Sequence, residues 1–245
     1  MPLWKARADG SQAEQLASSP VTPIEPHWSP DNTRIAFMGQ PPGERRRLYF
    51  ESAMGGKPVQ ATIFPHDQGV PTWSRDGTHL VFGDIMQQKP VDEMLLHVLD
   101  LRQSRIQDLP KSNGLWTPRW SPSGDFIAAV SVDNRRLVVF KVSTGIWAEL
   151  AVLRNIEYPA WTADSRYIHF SATSAPDMLP GGHMDRGLYR VEVSTGRVQR
   201  LADITYFAGI KPSWCGVTPD GTPLIAQEVS IEEIYALKLD YKMMR

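Results

Sequence analysis

The 245-residue chain has a single cysteine, Cys215, so no disulfide can form within it and the fold must rest on packing. Long apolar runs are missing too: stretches such as 126–132 fall far short of the ~18 to 20 residues a membrane-spanning helix needs. Neither sign of charge is in excess, with 26 Lys and Arg against 27 Asp and Glu and a formal net charge of -1. A basic nucleic-acid-binding face or a membrane-adsorbing surface needs a large positive excess, so the balance argues against both. Catalytic signatures are absent as well. There is no Gly-x-Ser-x-Gly elbow, no Gly-x-x-x-x-Gly-Lys-Ser/Thr phosphate loop and no Cys-x-x-Cys pair. The histidines, at 27, 66, 79, 97, 169 and 183, show no i, i+2 or i, i+4 pairing.

What the chain does have is 42% hydrophobic residues, enough for a full core, and 20 Pro, 18 Gly and 8 Trp in a regular arrangement. Five tryptophans share one context: Pro26-His27-Trp28-Ser29-Pro30-Asp31-Asn32, Pro71-Thr72-Trp73-Ser74-Arg75-Asp76-Gly77, Pro118-Arg119-Trp120-Ser121-Pro122-Ser123-Gly124, Pro159-Ala160-Trp161-Thr162-Ala163-Asp164-Ser165, and a stretched copy from Pro212-Ser213-Trp214 to Asp220-Gly221. Successive tryptophans lie 45, 47, 41 and 53 residues apart. After each turn comes a short apolar run (Ile35-Ala36-Phe37, Leu80-Val81-Phe82, Ile168-His169-Phe170), then a variable loop, a second run such as 137–142, a turn, and a third run such as 198–201. Runs this short, bounded by turn residues, predict strands. The turn has a mechanism: Pro fixes φ at the first central position, Asp or Ser bonds nearby backbone N–H groups, and Gly takes the following left-handed position.

About four strands recurring every ~40 to 45 residues is the pattern of a propeller blade. A β-sandwich also has short strands and turns, but it has no reason to repeat Trp-Ser-x-Asp-Gly at near-constant spacing. The fold expected is all-β: a propeller of about five to six four-stranded blades over 1–245, with an incomplete ring allowed. The phase of the repeat divides it into a partial blade at 1–20, full blades at 21–65, 66–112, 113–154 and 155–205, and a last blade at 206–245 lacking its outer strand. The opening segment matches the third and fourth strands of a blade. Either it closes the ring or the chain is the tail of a longer propeller, and two opening strands where closure needs one favour the second. The repeat tryptophans are expected to pack between neighbouring sheets.

These segments resemble the TolB-type, WD40-like propeller repeat, whose hallmark is Trp-Ser-Pro-Asp-Gly followed by an Ile-Ala-Phe strand and a Leu-Tyr strand. Two copies depart from it: the fourth reads Trp-Thr-Ala-Asp-Ser, and the fifth inserts Cys215-Gly216-Val217 before its turn. Segments 3–20, 114–124 and 216–240 are also similar to the C-terminal propeller of large bacterial regulators, where a winged-helix or Ser/Thr kinase domain comes first. The resemblance implies the sensor or interaction part of such a regulator, placed in the periplasm, with the cytoplasm as the alternative.

In a propeller, inner strands line a channel and long loops open on one face. The channel-facing candidates are the residues just before each repeat Trp or its Pro: Glu25, His27, Thr72, Arg119, Tyr158, Lys211 and Ser213. On the long-loop face, Arg45, Arg46 and Arg47 form the densest charge run, an anion contact or a solvated loop tip. Asp177, His183 and Asp185 share the longest loop without the spacing of a known metal cage. The function expected is non-catalytic binding of a protein, peptide or small polar ligand, with no cofactor, no nucleic acid, no membrane insertion and a monomeric chain. The alternative is a metal-assisted polysaccharide lyase or hydrolase at the channel mouth, with His27, His66 and His183 as the histidines that different blades would bring together.

Overall fold

The computed structural model describes residues 3–7, 11–16, 21–85, 90–179, 183–205, 213–217 and 222–226. A two-stranded sheet, β1 (Trp4–Lys5) and β2 (Glu14–Gln15), comes first. Four antiparallel four-stranded sheets follow, each in chain order. Blade 1 is β3 (Thr22–Trp28), β4 (Arg34–Gln40), β5 (Arg47–Ser52) and β6 (Val59–Gln60). Blade 2 is β7 (Thr72–Trp73), β8 (His79–Gly83), β9 (Leu96–Asp100) and β10 (Arg105–Asp108). Blade 3 is β11 (Leu115–Trp120), β12 (Phe126–Ser131), β13 (Arg136–Lys141) and β14 (Ile146–Val152). Blade 4 is β15 (Arg154–Trp161), β16 (Tyr167–Leu179), β17 (His183–Glu192) and β18 (Val198–Asp203). A second two-stranded sheet, β19 (Ser213–Val217) and β20 (Pro223–Ala226), comes last. The all-β propeller is as expected, but the described residues complete four blades, not five to six. The third strand expected at 234–239 and the candidate Lys211 lie outside the described residues.

Each strand-one to strand-two turn is built the same way. Ser29, Ser74, Ser121 and Thr162 accept at their carbonyls from the N–H three residues on, at 2.9 to 3.0 Å. Their hydroxyls accept from the N–H five residues on, at 3.0 to 3.1 Å. The left-handed position falls to Asn32, Gly77, Gly124 and Ser165, with φ of 57°, 66°, 85° and 59°. The departure in the fourth copy thus leaves its turn intact.

The second strands explain the near-continuous apolar runs. Alternate side chains point to opposite neighbours, and both neighbours are sheets. In β12, Ile127 and Ala129 pack toward blade 2, among Val81, Leu96 and Leu109, while Ala128 and Val130 pack toward Trp161, Ile168 and Phe170 of blade 4. In β8, Leu80 and Phe82 join Ala36 and Leu48 of blade 1. Burial on both faces removes the polar alternation that a one-sided sheet would show.

Candidate functional site

Proline stands two residues before the repeat Trp in all five copies. It has no N–H to give to a ladder, so it is tolerated only on an edge or at a bulge. In blades 1, 3 and 4 the ladder breaks there: Ile24 to His27 spans Met38 to Ala36, Trp116 to Arg119 spans Val130 to Ala128, and Glu157 to Ala160 spans Ser171 to His169. Each first strand gains one residue over its partner, a β-bulge. The residue before the proline takes a left-handed φ, 45° at Glu25, 46° at Thr117 and 50° at Tyr158. None is glycine, so each stores strain on the order of 1 kcal/mol or more. Bulges re-aim side chains near functional sites, and two of these, Glu25 and Tyr158, line a cavity.

That cavity, of about 760 Å³, is walled by the first strands of all four blades together with Gly216 and Val217 of β19. It gathers five of the seven channel-facing candidates: Glu25, His27, Thr72, Arg119 and Tyr158. The side chain of Ser213, like Lys211, lies outside the described residues. Most of the remaining wall is tryptophan and proline. Arg119 is buried, and its Nη2 lies 2.8 Å from Glu25 Oε2, an ion pair joining blades 3 and 1. Its Nη1 donates to the Pro118 carbonyl at 3.2 Å, which also accepts from Thr72 Oγ1 at 3.3 Å. Burial, and then the Arg119 charge, lower the His27 pKa to about 3, so the imidazole is neutral near pH 7. Its Nε2 is sealed from solvent and has no hydrogen-bond partner among the described residues. Tyr158 is half-exposed, and its phenol pKa is raised by partial burial and by the carboxylates of Glu25 and Glu157.

The arginine run is not on this cavity. Arg45 Nη1 and Arg47 Nη1 donate to the carbonyls of Pro65 and His66, at 3.0 and 2.9 Å, and Arg46 Nε donates to Gln40 Oε1 at 3.4 Å. These bonds brace the β4–β5 loop against the connection to blade 2. Of the three histidines named for a metal, His27 is on the cavity, His66 packs edge-on to Phe64 at 5.8 Å, and the side chain of His183 lies outside the described residues. Among the described residues no three His, Cys, Asp or Glu side chains are placed to hold a metal ion. Asp185 is paired with Arg200 at 2.7 Å.

Three features escaped sequence reasoning. The bulges were signalled by the invariant proline position, had its missing N–H been followed through. On blade 2, His97 sits between Asp108 (2.8 Å from Nδ1) and buried Asp84 (3.3 Å from Nε2); these come from three strand ends and leave no local spacing signal. Finally, Trp28 does not pack as its buried counterparts Trp73 and Trp161 do: it is 47% exposed, and no inner strand among the described residues lies against it.

No protein-family model matches the chain. Over 57 residues, 23% of its length, it is 35% identical to an uncharacterized peptidase, YuxL, of Bacillus subtilis. Over 78 residues, 32% of its length, it is 31% identical to the Tol-Pal system protein TolB of Alcanivorax borkumensis. Those stretches are only 9% and 18% of the two relatives. Among solved structures, TolB from Acinetobacter baumannii matches with a TM-score of 0.71 at 20% identity, over 90% of this chain and 52% of that one. Oligogalacturonate lyase in complex with manganese matches with a TM-score of 0.61 at 14% identity, over 90% and 62%. At these identities the likeness establishes a TolB-like propeller fold. No helix among the described residues is long and apolar enough to cross a membrane.

Proposed function

We propose that this chain is a non-catalytic binding propeller that takes a protein segment, peptide or small polar ligand into the cavity on its axis. The observation that carries the proposal is the convergence there of the Glu25–Arg119 pair, Tyr158 and the neutral ring of His27 within walls of Trp and Pro. A mostly apolar cavity with a few convergent polar groups is the usual form of a binding site. Glu25, Arg119 and Tyr158 orient charged or hydrogen-bonding groups of the ligand, against the uncharged ring of His27 in the same wall. The braced Arg45, Arg46 and Arg47 offer a further anion contact on the loop face. In this reading the chain is the sensor or interaction part of a larger bacterial regulator, working as a monomer in the periplasm.

A thermal-shift screen of short peptides and small polar compounds tests this. A true ligand at ~100 times its Kd adds roughly 2.7 kcal/mol of stability, and Arg119→Met or His27→Phe removes that gain. A screen in which no compound shifts the wild type differently from both variants counts against it. The competing reading, a metal-assisted lyase or hydrolase, is favoured by the fold likeness to a manganese-bound lyase. The described residues do not supply the donor set it needs, and stabilisation by Mn²⁺ that is lost in His27→Ala would revive it.

A further inference from the structure

The complete blades share an interface whose parts recur three times. The repeat Trp of each blade lies against the residue six positions after the Trp of the preceding one. Arg34 stands 5.1 Å over Trp73, His79 lies 6.3 Å from Trp120, and Phe126 stacks 6.3 Å from Trp161. Trp73 Nε1 and Trp161 Nε1 also donate to the carbonyls of His27 and Arg119, each just before the preceding Trp, at 3.0 and 2.9 Å. Trp120 Nε1 bonds the Gly124 carbonyl of its own blade instead, and its backbone N–H donates to Thr72 Oγ1 of blade 2.

Trp28 occupies the same repeat position with none of this: its indole is 47% exposed and its N–H meets no acceptor among the described residues. Yet the rest of that side of blade 1 is covered. Leu3 and Leu16, flanking β1 and β2, pack with Val21, Ile35, Phe37 and Tyr49. The N–H of Leu16 donates to the Leu3 carbonyl at 2.9 Å, as Ala61 does to Leu48 at 2.8 Å and Leu109 to Leu96 at 2.7 Å. Those last two bonds tie the fourth strand to the third in blades 1 and 2, so β1 and β2 are the outer half of a blade. In every complete blade the third strand also pairs with a second strand, whereas among the described residues β1 pairs with β2 alone. Trp4, which follows Leu3, is 56% exposed; the residues after the corresponding leucines, Tyr49, His97, Val138 and Tyr189, are all buried.

We infer that Trp28, Trp4 and the free edge of β1 form a docking surface for a β-hairpin of this same repeat, the inner two strands of a blade. The second strand of that hairpin pairs antiparallel with β1. Its first strand brings a carbonyl to Trp28 Nε1, and the side chain six positions after its own Trp covers the indole. Strand addition of this kind takes affinity from main-chain bonds and specificity from side-chain pockets. Here the specificity lies in that covering residue, which is Arg, His or Phe in the three interfaces observed. An arbitrary strand could satisfy the edge of β1 but would leave Trp28 bare.

The test uses the full chain and a peptide of its own residues 115–131, the β11–β12 hairpin, cross-linked beyond its strand ends so that the hairpin is preformed. Calorimetry should show saturable one-to-one binding, and hydrogen exchange should show new protection of the Trp4 and Ala6 amides, which by the alternation of the strand point away from β2. Trp28→Ala and Trp4→Ala, which alter exposed side chains, should each weaken binding by about tenfold or more, and so should Phe126→Gly in the peptide. Absence of binding to a chain shown to be folded by circular dichroism would overturn the inference, as would affinity unchanged in both tryptophan variants. Concentration-dependent self-association that protects the same amides without peptide would also overturn it, by giving the surface to a second copy.

Discussion

His27 is a group whose burial has a direct cost in acid. Its pKa is lowered from 6.5 to about 3, first by desolvation and then by the Arg119 charge. The unfolded chain therefore takes up a proton as pH falls through 6.5, while the folded chain stays unprotonated there until about 3. Stability must drop as pH falls across that window, by about 1.4 kcal/mol per unit from this one site. Urea unfolding at pH 7, 6 and 5 checks this: His27→Gln should flatten the dependence by the slope of one proton. An unchanged slope would mean that the imidazole ionises in the folded chain as it does in water. Position 27 was legible in the sequence as a channel-facing residue because the register of the repeat is fixed by its Trp. The neutral state of the ring was not legible, because it depends on Arg119, which lies 92 residues away and comes near only when blades 1 and 3 face each other.

At the scale of the strand and turn, the Asp of the repeat is held by bonds whose donors are all local. Asp31 accepts from Ser29 Oγ at 2.5 Å and from Thr33 N at 3.0 Å, and Asp76 from Ser74 Oγ at 2.6 Å and Thr78 N at 3.1 Å. These bonds, the serine hydroxyls foremost, lower both carboxyl pKa values to about 2 from 3.8. Because the folded value is depressed, the stabilisation is whole above about pH 4 and is lost as pH falls toward 2. The double variant Asp31→Asn with Asp76→Asn should show a shallower decline of thermal midpoint between pH 4 and 2 than the wild type, while keeping its strands by circular dichroism. Such turns could be read from sequence because partner and partnered lie within five residues. The fourth copy shows how tolerant the reading is: Thr162 and Ser165 replace Ser and Gly without loss of a turn bond. The bulges at Glu25, Thr117 and Tyr158 needed a further step, from a proline without an N–H to a ladder one residue out of phase.

For the molecule as a whole, blades that pack against their neighbours, with the Glu25–Arg119 pair reaching across the axis, give a stability close to a sum of sheet and interface terms. The five repeat tryptophans announced the modules, but a count of Trp residues says nothing about which modules have partners, since completeness is a property of pairs. Trp161 and Trp28 isolate that difference at one repeat position. Trp161 is buried, stacked on Phe126 and bonded to the Arg119 carbonyl at 2.9 Å, so Trp161→Ala opens a cavity between blades 3 and 4 and should cost about 3 to 5 kcal/mol. Trp28→Ala removes a side chain that is nearly half in water and unbonded, and should cost about 1 kcal/mol or less. Urea denaturation of the two variants under one buffer gives the comparison directly. Equal losses would mean that Trp28 is covered in solution by something that closes the inner gap beside blade 1. A large loss at Trp161 alone would place the stability of the propeller in its inter-blade contacts, and leave the bare side of blade 1 free to receive a hairpin.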